Sequence, residues 1–281
     1  MIAILRFLGT NCEFDVEYAT QFLGEKSAIV WHKETTLPHG TNAVIVPGGF
    51  SYGDYLRCGG IAKFAPIMKA VRRFSDNGGF VFGICNGFQI LCEAKMLPGV
   101  LMRNKHIAYK SIMGEFEICN NDNILLKNYT IRQKIKLPIA HAEGNYYIDE
   151  VGLAKLEANN QILLKYTSDI NGSVARIAGI CNEDKNVFGM MPHPERAIER
   201  ILGSDDGADM LKNIFSANAP SGVKSNAIDS RESFNSNESA ESLVLNKSHK
   251  SNKADSLDSL DSLDSPHLSS ESLNLRADYN F

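Results

Sequence analysis

The stretch FVFGICNGFQIL, residues 80–91, places a cysteine between two glycines where an apolar run gives way to a helical pattern. The form G-x-C-x-G is that of a nucleophile elbow, a strained turn from a strand into a helix. Gly83 and Gly87 would let the two backbones pass closely, and Cys85 would lie at the positive end of the helix, where a thiolate is stabilised. The stretch therefore predicts that Cys85 is a nucleophile and that the backbone N–H of Asn86 can stabilise an oxyanion.

The sequence on either side of this elbow alternates apolar strands with helical patterns. Continuous apolar runs predict strands at 2–7, 28–32, 42–50 and 80–84, and apolar residues at helical spacing predict helices at 13–24, 61–79 and 88–97. Residues 107–147 have an irregular β pattern, later strands are expected within 161–168, 173–182 and 186–195, and two helical pieces end near Phe215. Strands without polar alternation are buried on both faces. The predicted fold is α/β, with an open, mostly parallel sheet, helices on both faces and β insertions.

The composition of the 281-residue chain changes sharply near Ser221. Beyond that point serine recurs every few residues, and DSLDSLDSLDS at 255–265 repeats with a period of three, which matches neither a helix nor a strand. Six basic and ten acidic residues beyond position 220 account for the whole net charge of −4. Such a segment buries too little apolar surface to offset its chain entropy. We expect a folded domain at 1–220 and a disordered tail at 221–281, either without function or, as the alternative, binding a partner.

Charge and apolar content exclude several classes of function. A net charge of −4 offers no basic surface for nucleic acid, and no apolar run approaches the roughly 18 residues of a membrane span. The N-terminal MIAILRFLG is predicted to be a core strand, since it lacks the features of a signal peptide. The six cysteines are scattered without a CxxC pair, so neither a disulfide framework nor a zinc site is expected. Five of them are expected to be small buried side chains in a reducing compartment.

A cysteine nucleophile needs a base, and His193 is the candidate among the seven histidines. It stands in PHPE after the last predicted strand, where Pro192 and Pro194 stiffen the backbone. Glu195 lies two residues further on, so in an extended segment both side chains share one face and the carboxylate can orient the imidazole. The predicted catalytic residues are therefore Cys85, His193 and Glu195.

The segment PGGFSYGD, residues 47–54, follows another predicted strand and is rich in glycine. It contains neither a P-loop nor a dinucleotide-binding pattern. A plain turn explains the glycines as well as a functional loop does. In the functional interpretation, backbone N–H groups near Gly49 and Phe50 complete an oxyanion hole with Asn86. Of the other histidines, His141 is intermediate between a functional and a structural residue, and the rest are expected to be structural or solvated.

These segments together resemble the triad, or class I, glutamine amidotransferases. The resemblance is carried by GTNCEFD, PGGFSYGDYLRCGGIA, GICNGFQIL, IAHAEGNYY and GMMPHPERA, which span about residues 1–200. G-x-C-x-G-x-Q with a distant H-P-E is specific to this family, and the other motifs are most similar to those of a separate glutaminase subunit in purine biosynthesis. The resemblance implies that the predicted sheet is flavodoxin-like.

The resemblance also implies roles for individual residues. Cys85 would attack the side-chain amide of glutamine and form a γ-glutamyl thioester, while His193 shuttles the proton and Glu195 orients it. The remaining implied residues are Gly48, Gly49 and Phe50 at the oxyanion loop, Gln89 beside the bound glutamine, and His141, Glu143 and Asn145 near the site or a subunit contact. No metal is implied at this site.

Partners and cofactors follow from the resemblance as well. Free ammonia would be wasted in water, so family members pass it to an ATP-dependent synthetase. The implied synthetase converts a formylglycinamide ribonucleotide to its amidine, and a small third subunit bridges the two proteins. ATP and magnesium would be used by the synthetase subunit, and we expect this chain to bind no cofactor and to be cytoplasmic.

Three alternatives remain open at the level of the sequence. The chain could serve another amidotransferase synthetase, be an elbow-cysteine hydrolase or protein-repair enzyme, or be a binding module that has kept the fold. Asn86 counts against the second, since such enzymes place a histidine directly after the cysteine or near it, and the filled triad positions count against the third. The chain departs from the family pattern at Ala142 and at LGTNC, where glycine and PGSNC are common, and in its serine-rich tail.

Overall fold

The computed structural model describes residues 1–217, and the predicted tail at 221–281 lies outside the described residues. The strands are β1 (Ile2–Arg6), β2 (Ser27–Trp31), β3 (Ala43–Val46), β4 (Phe80–Ile84), β5 (Val100–Met102), β6 (Lys110–Ile118), β7 (Lys134–His141), β8 (Asn145–Tyr147), β9 (Ile162–Tyr166), β10 (Ile177–Cys181) and β11 (Val187–Met190). The α-helices are α1 (Glu13–Phe22), α2 (Pro66–Asp76), α3 (Asn86–Glu93), α4 (Glu150–Ala158) and α5 (Ala208–Phe215). Short 3-10 helices lie at Ser51–Asp54, Ala62–Phe64, Val174–Arg176, Pro194–Arg196 and Arg200–Leu202.

The main sheet has nine strands in the order β2-β1-β3-β4-β11-β10-β9-β6-β7. The first five are parallel, and their order is that of a flavodoxin-like sheet. The last four pairings are antiparallel and include the long β6–β7 hairpin in the region predicted to be irregular β structure. The prediction of an α/β fold with a parallel core and β insertions is therefore confirmed.

Burial explains the parallel half of the sheet but not the direction of every strand. All four residues of β3 and all five of β10 are buried, as the continuous apolar runs require. Yet β3 pairs in parallel with both neighbours, whereas β10 pairs antiparallel to β9 and β11. Burial on both faces thus predicts a central strand, while the length of the connection decides its direction, because a tight turn reverses the chain.

Three helix predictions differ from the structure. The helix predicted at 61–79 begins at Pro66, because proline restricts Ala65 to an extended conformation (φ −60°, ψ 140°) and leaves a short 3-10 turn before it. Helix α4 was not predicted, although Asp149 caps it by accepting a bond of 2.7 Å from the N–H of Gly152. Of the two helical pieces expected after His193, only α5 is an α-helix.

The carboxyl ends of the parallel strands meet at one edge of the sheet. The order reverses between β1 and β3, and open α/β sheets bind ligands at such a switch point. Segments 7–12, 47–50 and 85–86, together with 191–195, leave the sheet at this edge. Within residues 1–217 no helix is both long enough and apolar enough to cross a bilayer, and the six cysteines, all in this range, form no disulfide.

Candidate active site

Cys85 occupies the turn between β4 and α3. Its backbone has φ 52° and ψ −109°, a conformation that L-residues with side chains rarely adopt. Its N–H donates to the carbonyl of Met190 at 2.8 Å, which ties the turn to β11, and its Sγ lies 3.7 Å from the carbonyl oxygen of Ala140. The strained elbow predicted from the sequence is therefore present, with the thiol held between two strand ends.

The second glycine of the elbow allows α3 to approach β3. A Cβ on Gly87 would overlap the carbonyl oxygen of Val46. We expect Gly87→Ala to lower the free energy of unfolding by about 2–3 kcal/mol, the cost of overpacking a close backbone contact, as measured by urea denaturation. Gly60→Ala is the control, because the nearest atom to its Cβ, the Arg57 carbonyl oxygen, is 3.0 Å away, a tight contact without the overlap found at Gly87. Equal losses in the two variants would contradict the expectation.

A buried histidine–carboxylate pair reaches the same place from the end of β11. The N–H of His193 donates to the carbonyl of Pro138 at 2.8 Å, and its Nδ1 lies 2.6 Å from Oε1 of Glu195. A Cβ on Gly48 would lie 2.8 Å from the Cε1 atom of His193 and 3.3 Å from the Cβ of Cys85, so the imidazole ring and the Cys85 side chain lie against the same glycine. Nε2 of His193 has no hydrogen-bond partner among residues 1–217 and is thus available for proton exchange.

The charges around the two histidines of the site favour different protonation states. Burial alone lowers the pKa of His193, but the Glu195 carboxylate and the Cys85 thiolate raise it, and the net shift is from 6.5 to about 10. Burial and the charge of His193 lower the pKa of His141 to about 4. At neutral pH these shifts favour an imidazolium at His193 and a neutral ring at His141.

The glycine loop after β3 supplies one candidate oxyanion donor. Gly49 has φ +141°, and a Cβ there would lie 2.7 Å from the backbone nitrogen of Asn11, so only glycine fits. The N–H of Gly49 has no acceptor among residues 1–217, whereas the N–H of Phe50 donates to the carbonyl of Gly9 at 2.9 Å. That bond occupies the Phe50 N–H, and the place of Phe50 at the oxyanion loop stays a prediction. The available pair is Gly49 and the first N–H of α3, that of Asn86, which has no acceptor within its helix.

The side chains of Asn86 and Gln89 brace the elbow. Oδ1 of Asn86 accepts from the N–H of Ser51 at 3.1 Å, and Nδ2 donates to Oε1 of Gln89 at 2.8 Å. Nε2 of Gln89 donates in turn to the carbonyl of Glu143 at 2.6 Å. Gln89 is buried, and its amide links the elbow to the segment before β8.

The three residues expected near the site or a subunit contact divide into two kinds. His141 is buried, with Nδ1 3.1 Å from Oδ1 of Asn104 and Nε2 3.5 Å from the hydroxyl of Tyr166, so its ring is a structural brace. Glu143 and Asn145 are partly exposed and both contact Arg103, at 3.5 Å through its Nε and at 3.3 Å through its carbonyl. The carbonyl of Glu143 also accepts from Nε2 of Gln89, so this partly exposed segment adjoins the elbow.

Cys12, expected from the sequence to be a small buried side chain, lies beside the proposed triad. Its Sγ, a ring nitrogen of His193 and a carboxylate oxygen of Glu195 all lie within 4.8 Å of one another. These donors suit zinc, but the Arg196 guanidinium donates to Cys12 Sγ at 3.1 Å, and its charge opposes a cation there. Burial and the Glu195 carboxylate raise the pKa of Cys12 well above its usual value. The sequence signal was the place of GTNCEFD at the end of β1.

Comparison with known proteins places this chain in a described family. The model of the CobB/CobQ-like glutamine amidotransferase domain matches residues 1–215. The chain is 59% identical over 214 residues to the phosphoribosylformylglycinamidine synthase subunit PurQ of Helicobacter hepaticus, covering 76% of this chain and 96% of that protein. It is 54% identical over 214 residues to the subunit of the same name from Wolinella succinogenes, covering 76% and 98%.

A solved structure extends the similarity to three dimensions. The chain is similar to a chain in the structure of PurLQS from Thermotoga maritima, with a TM-score of 0.70 and 36% identity over 76% of this chain and 96% of that one. The similarity thus covers almost the whole of the relatives and, in this chain, nearly all of the described residues.

Proposed function

The chain belongs to the CobB/CobQ-like glutamine amidotransferase family, and from this premise we propose that it is the glutaminase subunit of a phosphoribosylformylglycinamidine synthase. It hydrolyses glutamine to glutamate and delivers ammonia to an ATP-dependent synthetase subunit, which forms formylglycinamidine ribonucleotide in purine biosynthesis. The observation that carries the proposal is the position of Cys85, on a strained elbow next to a buried His193–Glu195 pair with a 2.6 Å contact.

In the first half of the reaction, the Cys85 thiolate attacks the side-chain carbonyl of glutamine. The C–S bond forms as the carbonyl oxygen takes the negative charge, and the N–H groups of Gly49 and Asn86 stabilise that oxyanion. The His193 imidazolium then gives its proton to the departing amide nitrogen, so that ammonia leaves and the γ-glutamyl thioester remains.

In the second half, neutral His193 takes a proton from water. The hydroxide attacks the thioester carbonyl, the C–S bond breaks, and glutamate leaves with Cys85 again a thiolate and His193 again an imidazolium. Glu195, 2.6 Å from Nδ1 of His193, orients the ring and stabilises its positive charge in both halves.

The proposal extends to partners, cofactors and location. We propose that this chain assembles with the synthetase and a small bridging subunit. The synthetase uses ATP and magnesium, and this chain binds no cofactor. The partly exposed Glu143 and Asn145 support a subunit contact beside the site. Six free cysteines support a reducing, cytoplasmic location.

The test is reconstitution of the full complex. The full chain is mixed with the synthetase, the bridging subunit, ATP, magnesium and formylglycinamide ribonucleotide, and glutamate and amidine are measured with either glutamine or ammonium as nitrogen source. We expect glutamine to support amidine formation only when this chain is present, with about one glutamate released per amidine formed. Amidine formation from ammonium alone, with this chain adding nothing when glutamine is supplied, would refute the proposal.

A further inference from the structure

Residues 52–54 make a left-handed turn directly after the glycine loop. The φ angles are 54° at Tyr52, 69° at Gly53 and 54° at Asp54. For a bulky residue such as tyrosine this conformation is strained, whereas glycine or asparagine adopts it more easily. A tyrosine at this position therefore needs a compensating interaction from its side chain.

The side chain of Tyr52 is anchored on His32. Its hydroxyl lies 2.7 Å from Nδ1 of His32, and the two rings meet edge to face with centroids 5.4 Å apart. His32 is held in turn by Phe7 and Trp31, with ring centroids at 6.3 and 4.4 Å, and its N–H donates to the carbonyl of Arg6 at 2.9 Å. The phenol is thus attached to the rigid ends of β1 and β2.

The histidine in this contact is a buried group that the proposed reaction does not use. His32 is 4% exposed, and its Nε2 has no hydrogen-bond partner among residues 1–217. The hydrogen bond of its ring in this range is therefore the one that Nδ1 makes with Tyr52. Burial and the charge of Lys33 lower the pKa of His32. The neutral ring can accept a hydrogen bond from the Tyr52 hydroxyl at Nδ1.

The anchored turn directly follows the segment that carries the proposed oxyanion donor. Gly49 has no side chain to hold it, so the direction of its N–H depends on the residues that follow. These are held by three bonds to neighbouring segments: Phe50 N–H to Gly9 at 2.9 Å, Ser51 N–H to the Asn86 side chain at 3.1 Å, and Tyr52 N–H to Leu8 at 2.5 Å. The Tyr52–His32 bond is a fourth, and it fixes the end of this segment to a different strand.

We infer that Tyr52 and His32 are positioning residues for glutamine hydrolysis, which hold the left-handed turn and thereby aim the Gly49 N–H at the oxyanion. The inference rests on the proposed function and assigns a task to the SYGD segment that the triad leaves unexplained. An oxyanion donor acts on the transition state and not on bound glutamine. Loss of the bond should therefore lower kcat while KM changes little.

The main test variant is Tyr52→Phe, which removes the hydroxyl and keeps the ring. In the reconstituted complex we expect kcat for glutamine hydrolysis to fall about 10- to 100-fold, with KM within about twofold. The rate of Cys85 alkylation by iodoacetamide should stay within about twofold, since displacement at a saturated carbon forms no oxyanion. Tyr18→Phe is the matched control, because it removes an exposed hydroxyl that lies 2.7 Å from the Glu199 carboxylate. The control should keep wild-type kcat.

Two further variants separate positioning from stability. Tyr52→Asn relieves the backbone strain but loses the anchor, so it should lose kcat as Tyr52→Phe does, while the relieved strain offsets part of the stability lost with the ring. His32→Asn keeps an acceptor near the position of Nδ1 and should retain more kcat than His32→Leu.

Several results would overturn the inference. They are a kcat for Tyr52→Phe within about twofold of wild type, wild-type kcat in Tyr52→Asn, or parallel loss of kcat and of alkylation rate, which would mean that the thiol itself had moved. A wild-type complex that consumes no glutamine would instead overturn the proposed function, and the inference with it.

Discussion

Replacing Cys85 by alanine is expected to lower glutamine-dependent amidine formation by at least about 10⁴-fold in the assembled synthase. The reason is that alanine leaves no nucleophile to form the thioester, and the oxyanion donors alone retain only a small part of the rate enhancement. Ammonium-dependent formation should stay within about twofold, because that reaction takes place on the synthetase. The measurement compares the two nitrogen sources on the same preparation, with melting temperature as a check on folding.

The matched control for this variant is Cys92→Ala. Cys92 is also buried and lies on the same helix, α3, but its Sγ contacts the carbonyl of Pro98 at 3.6 Å, at the end away from the elbow. We expect it to keep glutamine-dependent activity within a few-fold of wild type. Glutamine-dependent activity that persists in Cys85→Ala without added ammonium would show that another group is the nucleophile.

Replacing Glu195 by glutamine is expected to lower kcat for glutamine hydrolysis by about 10³- to 10⁴-fold. Glutamine has the same shape but no charge, and its NH₂ group can present a donor where His193 Nδ1 needs an acceptor. The His193 ring is then no longer held in the tautomer with a proton on Nδ1, and it loses the carboxylate charge that stabilises the imidazolium at 2.6 Å. The measurement is glutamate release by the complex at saturating glutamine, with Glu157→Gln, a neutralised carboxylate on the exposed side of α4, as the control.

The same variant gives a test by pH. The pKa of His193 is raised from 6.5 to about 10 in the folded chain, so its interactions stabilise the fold fully below pH 6.5 and are lost as the pH rises through about 10. The free energy of unfolding of the wild type should therefore contain a component that declines over this range. Glu195→Gln should flatten that decline and Glu157→Gln should not. Equal slopes in all three proteins would contradict the assignment of the raised pKa to Glu195.

The parts of the site that were predictable from the sequence depend on residues close together in the chain. Gly83, Cys85 and Gly87 lie within one strand–turn–helix unit, and the strain at Cys85 and the close approach at Gly87 are consequences of that unit. His193 and Glu195 are two positions apart, which is enough to predict that the carboxylate can orient the ring, and the structure places them 2.6 Å apart. Their convergence on Cys85 also followed from the sequence, because parallel strands end at one edge.

The parts that sequence reasoning missed depend on contacts between distant segments. Arg196 contacts Cys12 across 184 positions, and Tyr52 contacts His32 across 20. His32 carries no local pattern that separates it from an ordinary core histidine. The sequence also did not predict that β10, which is buried along its whole length, is antiparallel to its neighbours. A buried strand has the same apolar pattern in either direction.

The sequence by itself determined the family, the α/β sheet and the residues proposed to exchange electrons and protons, because reactive side chains and the turns that expose them are local chemistry. Only the tertiary structure decided which backbone N–H groups are free to meet an oxyanion. Phe50 has its N–H committed to Gly9, Gly49 does not, and the turn that follows is held by Tyr52 on His32. These hydrogen bonds form between loops that follow different strands. A backbone N–H that donates to such a loop is no longer available to the substrate.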